Sequence, residues 1–95
     1  MYPTPFRGQL ARILEKAGRL DEAEKHFREL LIVEPNNPVV HLWLARFLDK
    51  HRPDAVDKAL KEAKIALELP RRKSLPREKI EQVIWELQSE IEQKP

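Results

Sequence analysis

Residues Leu10-Ala11-Arg12-Ile13-Leu14-Glu15-Lys16 recur 34 positions later as Leu44-Ala45-Arg46-Phe47-Leu48-Asp49-Lys50. Five of the seven residues are identical and the other two changes, Ile to Phe and Glu to Asp, are conservative. Self-similarity at a fixed period of about 20 to 50 residues marks a chain built from stacked copies of one supersecondary unit. A unit of that size cannot bury its own apolar face, so each copy has to pack on the next.

The apolar spacing says what the unit is. Phe6, Leu10, Ala11, Ile13, Leu14 and Ala17 fall at helical intervals, and Gly18 follows where a left-handed residue would close a helix. The reading is a helix over about residues 5–17, with Pro3 and Pro5 holding the preceding chain extended. Asp21 is the expected N-cap of a second helix, with Glu24 as capping-box partner. Leu20, Ala23, Phe27, Leu30 and Leu31 form its stripe, and Pro35-Asn36-Asn37-Pro38 ends it. Two helices with a short link make an antiparallel hairpin.

The second unit repeats the plan. Val40, Leu44, Ala45, Phe47 and Leu48 stand in for Phe6, Leu10, Ala11, Ile13 and Leu14. A fourth helix is expected over residues 54–69, with Val56, Ala59, Leu60, Ala63, Ala66 and Leu67 facing in. Pro76 opens a fifth, whose stripe is Ile80, Val83, Ile84, Leu87 and Ile91. One amphipathic helix after two hairpins would cover the end of the stack.

Composition narrows the functional classes. The 95 residues are 41% hydrophobic and 36% charged, which fits one small folded domain. No apolar run is long enough to cross a bilayer, and the first residues show no secretory signal; the compartment stays unassigned, with the cytoplasm as the default. Cysteine is absent, the three histidines are dispersed and only two glycines occur. That set offers no thiolate or paired-histidine metal site and no glycine-rich phosphate loop. Neither Ser74 nor Ser89 sits in a nucleophile elbow. No cofactor and no catalysis are expected. A net charge of +2 is too small to argue for nucleic acid.

The 34-residue period and hairpin unit resemble tetratricopeptide repeats, whose pattern is W-x2-L-G-x2-Y, then A-x3-F, then P. Arg7, Leu10, Ala11, Leu14, Ala23, Phe27 and Pro35 carry the resemblance in unit one. His41, Leu44, Ala45, Leu48, Ala59, Ala63 and Pro70 carry it in unit two, and Ile80, Val83, Ile84 and Leu87 extend it into the fifth helix. Arg7 and His41 stand where the family has tryptophan. The resemblance implies an all-α superhelix in one domain: repeat one over about residues 4–37, repeat two over 38–71, and a capping helix over 76–93. It further implies a concave face, lined by the first helix of each unit, that holds a peptide or helix of a protein partner.

Carried onto this sequence, the groove positions are Arg12 and Lys16, then Leu42, Trp43, Arg46, Asp49 and Lys50, then Glu81 and Trp85. Two arginines at matched repeat positions suit a carboxylate or acidic segment, because the planar guanidinium binds carboxylate through two parallel hydrogen bonds. The competing reading is that each arginine pairs with Glu15 or Asp49 and contributes little. Trp43 and Trp85 are candidate contacts, or else fill gaps between helices. The carboxylate clamp of some family members needs lysine and asparagine where this chain has Gly8, Arg12 and Trp43, so that clamp is not expected. Arg71-Arg72-Lys73-Ser74 reads as a solvated basic link whose form resembles a basophilic kinase site. The alternative function is self-assembly through the end helices, with Phe6 and Ile13 packing on a second copy, or packing of the same surface on further repeats of a longer chain.

Overall fold

The computed structural model describes residues 4–70 and 75–93, with side chains from Gly8 onward. The side chains of Phe6 and Arg7, and the whole link at 71–74, lie outside the described residues. Among the described residues the chain is all-α: α1 (Thr4–Lys16), α2 (Leu20–Val33), α3 (Pro38–His51), α4 (Val56–Glu68) and α5 (Arg77–Gln93), with one 3-10 turn at Pro53–Ala55. Consecutive helices pack on one another, and α5 returns to touch α3. The body measures 42 × 31 × 19 Å, and its thin dimension is about two helix diameters, a two-layer slab.

Three local expectations change and one holds. Pro5 does not extend the chain; it lies in the first turn of α1, where a missing amide costs nothing. Gly18, at φ 81°, closes that helix as its position required. Asp21 is not an N-cap. The helix starts two residues earlier than that cap would set, its cap position is Arg19 with no side-chain bond, and Asp21 and Glu22 place negative charge in the first turn instead. The fourth helix begins with the 3-10 turn, and its α-helical part starts only at Val56. Asn37, by contrast, caps α3 in full, accepting from the Val39 amide at 3.0 Å.

α3 is the middle of the stack and is buried nearly all round: Val40, Leu42, Leu44, Ala45, Phe47 and Leu48 are each 5% exposed or less. Ala11, Ala23, Ala45, Ala59, Ala63 and Ala66 are fully buried, so the helices meet through small side chains at close approach. Phe27 and Phe47 fill the centre, rings 5.5 Å apart and tilted by 54°. Ile13 occupies the repeat position of Phe47, yet it is 62% exposed. The reason is plain: α3 has neighbours on both sides, whereas no described helix packs on the outer side of α1.

Polar bonds join the units where apolar contacts do not. His41, at the position where the family pattern has tryptophan, is buried between two acceptors. Its Nδ1 lies 2.6 Å from Glu62 and its Nε2 lies 2.7 Å from the carbonyl of Pro35. One ring therefore ties α3 to α4 and to the turn that precedes it. Arg52 reaches back from the α3–α4 turn to Asp21 at 2.7 Å and Glu24 at 3.2 Å. Burial opposes the charge on Glu24, but hydrogen bonds and charge from Arg28 and Arg52 outweigh it and hold the carboxyl below its ordinary value of 4.5. A lowered carboxylate stabilises the fold above the unfolded value, and that contribution is lost as pH falls through the folded one. Glu24→Gln is therefore expected to lower the denaturation midpoint at pH 7, and the difference from wild type should close at acid pH. Denaturant titrations across that range measure it.

Candidate functional site

The sequence places Arg12 and Arg46 at one repeat position on α1 and α3, and the structure brings both to one concavity of about 550 Å3. Trp43, Lys50 and Leu42 line it from α3, and Leu75 and Lys79 close it from the start of α5. An adjoining hollow continues past Arg12 and Lys50 to Lys16, Glu15 and His51. The wall is thus formed by the first helix of each unit, with an aromatic floor and a cationic rim.

The rim carries five cations: Arg12, Lys16, Arg46, Lys50 and Lys79, all exposed. Glu15 is the one acidic side chain among the described residues lining the two hollows. It is already engaged, since His51 Nε2 lies 2.7 Å from its Oε2 and both side chains are largely covered. The expected competition for the arginines does not materialise. Glu15 goes to His51, and Asp49 turns Oδ1 into the interior, where it meets no hydrogen-bond partner among the described residues. Arg12 and Arg46 form no ion pair with a described residue. Positive field focused by a concave wall favours an anionic occupant.

Other carried-over positions fall elsewhere. Leu42 lines the concavity but is 5% exposed, so most of its side chain is spent in the core and little faces the groove. Asp49 does not line the concavity. Glu81 and Trp85 do not line it either. They stand two and six residues beyond Lys79, about 200° and 240° around the helix. Glu81 lies 3.5 Å from Arg77, and Trp85 is 68% exposed. The contribution of α5 to the groove is Lys79, a residue the repeat alignment did not single out.

Gly8 and Trp43 turn out to be a pair. A Cβ at Gly8 would lie 2.7 Å from Cζ3 of Trp43, so the indole of α3 rests directly on the bare backbone of α1. Glycine inside a helix costs about 1 kcal/mol relative to alanine, and here it makes room for the ring. Gly8→Ala is expected to push the indole toward the open groove. Emission of Trp43, read in a Trp85→Phe background, should shift to the red, while stability changes by less than about 1 kcal/mol because propensity and crowding oppose each other.

Among the described residues no group of His, Asp and Glu is arranged to hold a metal ion, and no helix is long and apolar enough to cross a membrane. No curated protein matches the chain. A model of the tetratricopeptide repeat matches residues 6–47, from α1 through α2 and into α3. The repeated sequence, the paired helices and this match over residues 6–47 agree in supporting a tetratricopeptide repeat.

Proposed function

We propose that this chain is a non-catalytic interaction module whose concave groove binds an acidic segment of a protein partner. Tetratricopeptide repeats are in general protein–protein interaction modules. The observation that carries the finer reading is the imbalance at the groove: five exposed cations face one acid, and His51 holds that acid. The arginines would grip carboxylates in bidentate fashion, the lysines would supply the surrounding field, and the Trp43 ring would take an apolar side chain. Arginine and tryptophan are the residues most enriched among binding hot spots.

A short peptide alternating glutamate and leucine, titrated into isotope-labelled protein, tests this reading. Amide shifts centred on Arg12, Trp43, Arg46 and Lys79 are expected, and a lysine–leucine peptide should leave them unmoved. Shifts scattered over the surface, or identical responses to both peptides, would refute it.

A second reading, assembly with another copy through α1, is favoured by the exposure of Ile13. It requires a mass that rises with concentration and falls back on Ile13→Glu.

A further inference from the structure

A second groove of about 620 Å3 runs along α4 and is closed on one side by Ile84 of α5. Its floor is apolar: Leu60, Ile65, Leu67 and Ile84 are all half-buried. The repeat shows how unusual that is. Ala23 and Phe27 of α2 correspond to Ala59 and Ala63 of α4, so the units register here at 36 residues. Asp21, Lys25 and Arg28 then match Asp57, Lys61 and Lys64, while Glu24 and Glu29 match Leu60 and Ile65. In unit one the carboxylates are retained and Arg52, from the following turn, engages Asp21 and Glu24. In unit two, apolar side chains replace two carboxylates on a surface that no described element covers. An uncovered end of a repeat stack is ordinarily polar.

The repeat plan says what shape would fit. α1 pairs with α2 and α3 pairs with α4, but α5 has no second helix of its own beside it among the described residues. Ala11 and Ala45 are fully buried, whereas their repeat counterpart Ile84 is half-buried beside the exposed Trp85.

The charges along the rim say what chemistry would fit. Asp57, Lys61, Lys64 and Glu68 read negative, positive, positive, negative at intervals of four, three and four residues. All four are exposed and none is held in an ion pair with a described residue. Their positions fall at roughly 0, 6, 10 and 16 Å along the helix. A helix lying alongside would complement them with positive, negative, negative, positive at the same intervals. The pattern is symmetric, so it serves a helix running in either direction.

We propose that the α4–α5 groove docks an amphipathic helix of a protein partner, completing a third hairpin. The occupant carries an apolar stripe against Leu60, Ile65 and Ile84, and along its α4 edge the complementary sequence of base, acid, acid, base. This site is separate from the concave groove and stands whether or not that groove binds acidic segments.

Two synthetic helical peptides of identical composition test it. Both carry a leucine stripe; one edge reads Lys, Glu, Glu, Lys at four, three and four residue intervals, and the other reads Glu, Lys, Lys, Glu. The first should bind at least about tenfold more tightly, since four exposed ion pairs form in one complex and four repulsions in the other. Amide shifts should centre on Leu60, Lys64 and Ile84 and spare Arg12 and Trp43. Lys61→Ala/Lys64→Ala, at exposed positions, should weaken the preference, and adding Asp57→Ala/Glu68→Ala should erase it. Ile84→Glu, with its helicity confirmed by circular dichroism, should abolish binding of both. Equal affinity for the two peptides, or no binding of either, would overturn the proposal. So would a doubled mass in the free protein that Ile84→Glu reverses, because a second copy would then be the occupant.

Discussion

Phe47→Ala is expected to cost about 3–5 kcal/mol, the range for emptying a buried aromatic site in a core. Phe47 is 1% exposed and packs against Phe27, with the His51 ring 5.0 Å away and the Arg52 guanidinium 6.0 Å above its face. Truncation leaves a cavity where both units meet, and it also releases the groups that fix the groove wall. A domain of this size has about 5–15 kcal/mol in all, so the thermal midpoint should fall by more than roughly 15 °C. Ile13→Ala supplies the control, because Ile13 holds the same repeat position at the exposed end of the stack. Its cost should stay near 0.5 kcal/mol or below, the ordinary size of a surface change. Thermal melts of the two variants side by side check the pair. Equal losses would mean that the burial difference between α1 and α3 is not maintained in solution.

Arg12→Glu/Arg46→Glu is expected to weaken binding of a glutamate–leucine peptide by at least about tenfold, and chiefly at low salt. Each reversal removes one attraction and adds one repulsion at the same wall. Neither arginine is tied to an acid among the described residues, so no ion pair between described residues is broken. The free double variant should be as stable as wild type or slightly more so, because five crowded cations repel one another and the exchange relieves that repulsion. Melting curves recorded beside the binding isotherms separate the two effects. A loss of binding accompanied by a loss of stability would point to a structural role for the arginines.

The helices and their pairing were legible because apolar periodicity and proline punctuation are local signals, and the 34-residue recurrence gave the stacking plan. Local signals fail where the deciding partner is distant in sequence. Asp21 and Glu24 read as a cap and its box, but Arg52, from the next turn, claims both and the helix starts elsewhere. Glu15 looked available to Arg12 until the fold brought His51 to it. Gly8 and Trp43 were weighed as separate departures from a clamp, whereas they are two halves of one contact. The groove itself was half legible. Repeat equivalence located Arg12, Lys16, Trp43, Arg46 and Lys50, but α5 offers Lys79 there instead of Glu81 or Trp85, because its rotation depends on packing against α3 and α4. How little of Leu42 reaches the groove was not legible, because alternation along a helix does not show how completely α3 is surrounded.

The central claim is that the cationic concave wall selects an acidic partner segment, and a charge-swap titration tests it most directly. Wild type and Arg12→Glu/Arg46→Glu would each be titrated by fluorescence anisotropy with the glutamate–leucine peptide and its lysine counterpart, at low and at physiological salt. The account predicts that wild type prefers the glutamate peptide, that added salt weakens this preference, and that the double variant loses it. Wild type binding both peptides alike, or a preference that the two reversals leave unchanged, would contradict it.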